Sequence, residues 1–164
     1  MSNRRLSIIL PMIIMLLFSG CSYKRDILKS QSYLITIKMK SVAFSDLGFL
    51  NYGKNYTNLQ LFSAGNPVLE LKIGKNICIN SHCFSKTNFN ARFLSNRYKQ
   101  NTLSNILNKK TIFKKSGYKK TTNGFMQNIK QNSLVIKYIV SKDKIYFKDF
   151  SNHIIIKLVK MENL

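Results

Sequence analysis

The sequence predicts a mainly β fold of the α+β kind: an antiparallel curved sheet or half-barrel with two or three short helices covering one face. Three observations predict it. From Tyr33 onward apolar residues recur with a period of two, β-branched and aromatic residues are enriched in those runs, and the period turns helical only in the middle of the chain. At 164 residues with 45% hydrophobic and 12% aromatic content, the chain is too apolar to stay disordered and long enough for one core.

Tyr33, Ile35, Ile37 and Met39 alternate with Thr36, Lys38 and Lys40, as in a half-buried strand. Leu59 and Leu61 alternate with Asn58 and Gln60, and Leu69, Leu71 and Ile73 alternate with Glu70 and Lys72. Between these runs lies Ser63-Ala64-Gly65-Asn66-Pro67, whose residue types favour a tight turn, so the two runs are expected to form a hairpin. Ile77 and Ile79 form a short strand after Gly74. Phe89, Phe93 and Leu94, then Leu103, Ile106 and Leu107, fall at helical spacing. They predict two short helices between about residues 88 and 108, with Asn88 and either Asn101 or Thr102 as N-caps. The lysine-rich stretch 109–120 reads as an exposed connection or edge strand. Strands resume at 125–129, 134–140, 144–150 and 153–160, joined by turns short enough for consecutive antiparallel hairpins.

The charge balance is lopsided, with 27 Lys+Arg against 6 Asp+Glu and a net charge of +21, which points toward anionic partners. Arg4, Arg5, Arg25, Arg92 and Arg97 are the arginines, whereas recognition of phosphates and bases favours the planar guanidinium. The lysines are scattered among Asn and Ile rather than clustered. They read as a solvated basic surface first and a membrane-facing one second, and nucleic acid is not expected as a partner.

Met1 to Arg5 form a short basic segment, Leu6 to Phe18 an apolar one broken by Pro11, and Phe18-Ser19-Gly20-Cys21 sets small residues before a cysteine. The apolar run is too short to span a bilayer comfortably. This layout resembles the bacterial lipoprotein signal. The resemblance implies a signal peptide over 1–20, cleavage before Cys21, a diacylglyceryl thioether on Cys21 with further acylation, a lipidated tether over 21–32, and a single periplasmic β-rich domain over 33–164. Several acyl chains anchor durably where one does not. Ser22 stands where an Asp would mark retention in the inner membrane, so the outer membrane is the expected location.

With Cys21 assigned to lipid, Cys78 and Cys83 remain. An oxidising compartment favours pairing them if a turn at Asn80-Ser81 brings them together, whereas cysteines on opposite faces of a strand end would stay apart. Cys78, His82 and Cys83 carry metal-ligating atoms, but His153 is the one further nitrogen donor, so no metal and no cofactor is expected. The two histidines and six acids form no recognisable catalytic spacing, and Asp46, Asp143 and Asp149 fall where Asp commonly serves the backbone. The chain is not expected to be an enzyme.

The segment Leu61-Phe-Ser-Ala-Gly-Asn-Pro-Val-Leu-Glu-Leu-Lys-Ile73, the helical stretch ending in Leu103-Ser-Asn-Ile-Leu107, and Ile154-Ile-Ile-Lys-Leu158 near the end together resemble the LolB family of outer-membrane lipoprotein receptors. That resemblance implies a half-barrel whose concave apolar face, under helices, takes acyl chains from lipoproteins handed over by a periplasmic carrier. It also implies an exposed transfer turn at Phe62, Ala64 and Gly65. Ala64 stands where the family has a protruding leucine, with Phe62 nearby. Leu69, Leu71, Ile136 and Ile156 are the candidate residues of the acyl cavity. The alternative expectation is a non-transporting structural or assembly lipoprotein that docks onto an envelope protein complex.

Overall fold

The computed structural model describes residues 27–161. The signal segment and Cys21 lie outside them. Eleven strands are present: β1 (Ile27–Met39), β2 (Val42–Gly53), β3 (Thr57–Ser63), β4 (Asn66–Ile73), β5 (Ile77–Ile79), β6 (His82–Phe84), β7 (Tyr118–Thr121), β8 (Gly124–Gln131), β9 (Leu134–Ser141), β10 (Lys144–Asp149) and β11 (Ile154–Lys160). Helices α1 (Lys86–Phe93) and α2 (Thr102–Leu107) and a single 3-10 turn, Phe113–Lys115, all fall between β6 and β7.

The strands form one open antiparallel sheet in the order β6-β5-β4-β3-β2-β1-β11-β10-β9-β8-β7. Each strand therefore pairs with its neighbour in sequence, except at the central seam, where β1 pairs with β11 from Tyr33↔Lys160 to Lys38↔Ile155. The inner face follows from the alternation. Tyr33, Ile35, Ile37 and Met39 of β1 are buried, as are Leu59 and Leu61 of β3, Leu134, Ile136 and Tyr138 of β9, and Ile154, Ile156 and Leu158 of β11. Phe89, Phe93, Leu103, Ile106 and Leu107 from the helical segment belong to the same buried cluster. Burying apolar surface of this extent supplies the main drive for folding, at roughly 25 cal/mol per Å².

The tight turns explain the register. Ala64 (φ 47°) and Gly65 (φ 81°) form the two-residue connection of β3 to β4, and Asn132 (φ 48°) with Ser133 (φ 58°) does the same for β8 and β9. Left-handed residues at both turn positions match the right-handed twist of the strands they join. The edges are short or charged: β6 has three residues, and exposed Lys119 and Lys120 lie on β7. Such edges resist unwanted pairing with other chains.

Three differences from the sequence reading have physical causes. Residues 27–32, expected to be part of the tether, belong to β1 and pair with β2, from Ile27↔Gly53 to Ser32↔Phe49. This stretch lacks apolar alternation and is held by backbone pairing rather than burial. Second, β2 has no counterpart in the sequence reading: Val42-Ala-Phe-Ser-Asp-Leu-Gly-Phe-Leu puts apolar side chains on both faces and so hides the period of two. Third, the N-cap of α1 is Ser85, whose Oγ accepts from the Asn88 backbone N–H at 3.2 Å, so Asn88 is inside the helix. Asn101 does precede α2, but its side chain accepts from Lys86 Nζ at 2.9 Å instead of capping the helix.

Candidate functional site

Two regions gather the residues singled out from the sequence. The first is the exposed β3–β4 turn. Phe62 projects from the end of β3 onto the outer face of the sheet, where its ring meets Phe49 of β2 edge-on at 5.7 Å between centroids. Such edge-to-face pairs contribute about 0.5–1.5 kcal/mol beyond burial. Phe49, Leu47, Phe62, Ala64, Gly65 and Met161 line a cleft of about 590 Å³. Leu34 lies opposite Leu47 in the β1–β2 register, and both are exposed, at 44% and 51%. Leu34, Leu47 and Phe49 thus extend the turn into an apolar patch that the sequence reading missed. The local signal for it is Leu47-Gly48-Phe49-Leu50, where apolar residues of both parities flank a glycine.

The second region is the inner face. Leu69 and Leu71 on β4, Ile136 on β9 and Ile156 on β11 all point to it, and each is only 1–2% exposed. The structure places these four in one core with the helices. They share one buried cluster with Phe89, Phe93, Leu103, Ile106 and Leu107 of the helical segment.

The helical segment is pinned by polar contacts at the C-terminus of α2 and between the two helices. The Tyr138 hydroxyl lies 3.2 Å from the Ile106 carbonyl oxygen and 3.1 Å from that of Lys110. Tyr52 donates to the Leu107 carbonyl at 3.1 Å, Asn108 Nδ2 donates to Thr57 Oγ1 at 3.0 Å, and Lys109 Nζ donates to the Lys142 carbonyl at 2.6 Å. The two tyrosine hydroxyls satisfy carbonyls that the C-terminus of α2 leaves open, while Asn108 and Lys109 tie the residues after it to β3 and to the β9–β10 turn. Between the two helices, the Tyr98 hydroxyl donates to Asp149 Oδ2 at 2.6 Å. Burial, more than any partner, raises the phenol pKa values of Tyr98, Tyr138 and Tyr52; Asp149 adds to the first, and Tyr52 is pushed up to about 12. All three therefore remain hydrogen-bond donors at neutral pH.

Cys78 and Cys83 stand directly opposite each other on β5 and β6 and form a disulfide, with Cα atoms 3.9 Å apart. Asn80 (φ 44°) and Ser81 (φ 73°) make the turn that brings them there. His82 lies on β6 with its Nδ1 3.2 Å from the Asn80 carbonyl oxygen, a turn contact. His153 sits at φ 54° just before β11 rather than opening it. Closing so short a loop stabilises the fold by about 2 kcal/mol on the chain-entropy model. A Cys78→Ser/Cys83→Ser double variant is expected to lose about that much in urea unfolding. Wild-type protein treated with a reducing agent should match it; a midpoint that does not change in either case would show that the strand pairing suffices.

Asp149 is buried and organises the β10–β11 turn, accepting from the Ser151 backbone N–H at 2.8 Å, the Asn152 backbone N–H at 3.1 Å and Asn152 Nδ2 at 2.6 Å. Asp46 accepts from the neighbouring Leu47 N–H at 2.7 Å, and Asp143 accepts through its backbone carbonyl from the Lys160 N–H at 2.8 Å. Asp46 lies inside β2 rather than in a turn or at a strand end, and the Asp143 contact is made by its main chain, not its carboxylate. No helix among the described residues is long and apolar enough to cross a membrane. In comparisons with protein-family models, curated proteins and solved structures, the chain matches none.

Proposed function

We propose that this chain is a lipid-anchored, acyl-binding receptor of the LolB kind, held by Cys21 to the outer membrane and facing the periplasm, which accepts lipoproteins from a soluble carrier and passes them to the membrane. The observation that supports the reading is that α1 and α2 fall between the two edge strands in the sequence and contribute Phe89, Phe93, Leu103, Ile106 and Leu107 to the same buried cluster as the strands of an open sheet. On this reading the sheet is a half-barrel and the helices are its removable cover. Helices of eight and six residues are too short to persist alone, so their order depends on the face they cover. Acyl chains offer that face the same apolar contact and can take the helices' place. The turn at Ala64 and Gly65, with Phe62 and Phe49 beside it, supplies an apolar tip for the membrane step.

A second reading has its own observation. The inner face is filled in this form, while Leu34, Leu47 and Phe49 are exposed on the outer one. That arrangement suits a lipoprotein whose outer face docks onto a protein complex.

Titration of a version beginning at Ser22 with a fluorescent acylated lipopeptide separates the two. Saturable binding at micromolar concentration or tighter, competed by unlabelled lipopeptide, is expected for the receptor. Leu71→Asp and Ile136→Asp variants that remain folded should lose that binding. Phe62→Ser should keep it and lose transfer to vesicles, and Ala64→Leu should raise transfer. A folded sample that binds no lipopeptide would leave the docking reading.

A further inference from the structure

We propose that the end of the sheet beside the C-terminus of α2 binds a phosphate group, held by Lys29, Gln31 and Lys109 and drawn in by Lys160. Lys29, Gln31, Tyr52, Asn108 and Lys109 line a cleft of about 280 Å³ there. Lys29 and Gln31 come from the start of β1, opposite Tyr52 and Leu50 of β2, and Lys160 faces Tyr33 at the β1–β11 seam. Lys109 reaches the same place from the residue after the α2 cap, in a left-handed conformation at φ 55°. Three lysines from separate parts of the sequence are thus brought to one end of the sheet by the fold itself.

The donors have the right disposition. Gln31 Oε1 is occupied by the Tyr33 hydroxyl at 3.2 Å, which turns the amide so that its NH₂ is left to donate. Lys109 uses two of its three N–H groups on the Ser141 and Lys142 carbonyls, at 3.2 and 2.6 Å, which fixes the ammonium and leaves the third. Lys29 is exposed at the rim. The ammonium of Lys109 lies below the ordinary lysine range: burial is the largest cause, Asp143 opposes it, and Lys29 and Lys160 add to it. One carboxylate against three ammonium groups leaves the cleft positive, and a concave positive site concentrates anions. A tetrahedral oxyanion presents enough acceptors for all three donors, each bond charge-assisted or nearly so. Because Lys109 follows directly on α2, the site is assembled while α2 is seated on the sheet, and it does not require that the inner face take acyl chains.

The phosphate has two sources, a free phosphate ester or the headgroup of an acidic phospholipid. The test uses the full chain in a nonionic detergent, titrated with inorganic phosphate and with glycerol 1-phosphate at constant ionic strength, with sodium chloride as reference. Wild type is compared with Lys29→Gln and Lys160→Gln, and with Lys119→Gln on β7, which makes the same change in net charge outside the lining of the cleft. Saturable phosphate binding is expected, weakened about tenfold by Lys29→Gln and by Lys160→Gln and unchanged by Lys119→Gln. Competition by phosphatidylglycerol vesicles but not phosphatidylcholine vesicles would identify the headgroup as the source. Phosphate binding without vesicle competition would identify a free ester. Binding no stronger than that of chloride, or weakened equally by Lys119→Gln, would overturn the proposal.

Discussion

Asp149→Ala is expected to destabilise the protein by about 3–5 kcal/mol, lowering the thermal midpoint by on the order of 10 °C. The carboxylate is fully buried and accepts four hydrogen bonds, from the Tyr98 hydroxyl, the Ser151 and Asn152 backbone N–H groups and the Asn152 amide. Removing it leaves the buried Tyr98 hydroxyl unpaired, the case in which a lost hydrogen bond costs most, and strips three further part-buried donors of their acceptor. It also releases Tyr98, whose ring packs edge-on against Phe147 and Phe113 at 6.0 Å and joins the helical segment to β10. Asp149→Asn keeps an acceptor and the volume, so it should cost less than Asp149→Ala. Tyr98→Phe, which keeps the ring, should cost about 1–2 kcal/mol. Chemical unfolding of the three variants checks the order; an Asp149→Ala protein within 1 kcal/mol of wild type would show that water replaces the carboxylate in the turn.

Phe89→Ala is expected to cost about 3–5 kcal/mol for a different reason, the cavity left under α1. Phe89 is fully buried, with its ring 4.8 Å from Phe93 and 6.3 Å from Phe84. If the helices are a cover, this variant also makes them easier to displace. Its midpoint should then fall while its affinity for the fluorescent lipopeptide rises. Affinity that falls in step with stability would count against the cover, since a ligand competing with α1 gains from a weakened α1.

How much of this was legible beforehand varied with the physics of each segment. β1, β4, β9 and β11 each bury alternate side chains on one face, so their period was visible in the sequence. The Ala64-Gly65 turn was legible because few residue types accept left-handed conformations. β2 was not, since Leu47 and Phe49 face outward while Leu50 and Gly48 face in, and apolar residues of both parities leave no alternation to read. The disulfide depended on strand register, which the spacing of Cys78 and Cys83 alone left open. The Lys29, Lys109 and Lys160 cluster was invisible for a similar reason: three scattered lysines look like background charge until β1 pairs with β11. Asp149 was expected in a turn or at a strand end, but its bond to Tyr98 crosses from the helical segment to β10, a distance along the chain that local patterns do not encode.

The seam between β1 and β11 has a consequence for how the molecule comes to be folded. Strands β1 to β6 and β7 to β11 are each chains of adjacent hairpins, which can zip up locally and early. Their union joins Tyr33 to Lys160 across nearly the whole described sequence, a closure that costs chain entropy before it returns any contact. Until the last strand is in place, β1 has one bare edge, and once β10 and β11 have paired, β11 has another. The latter carries Ile154-Ile155-Ile156 and little charge at that end, the kind of segment that pairs with a neighbouring molecule as readily as with its own. Ile154–Lys160 is therefore the stretch that most needs shielding until the seam with β1 has closed.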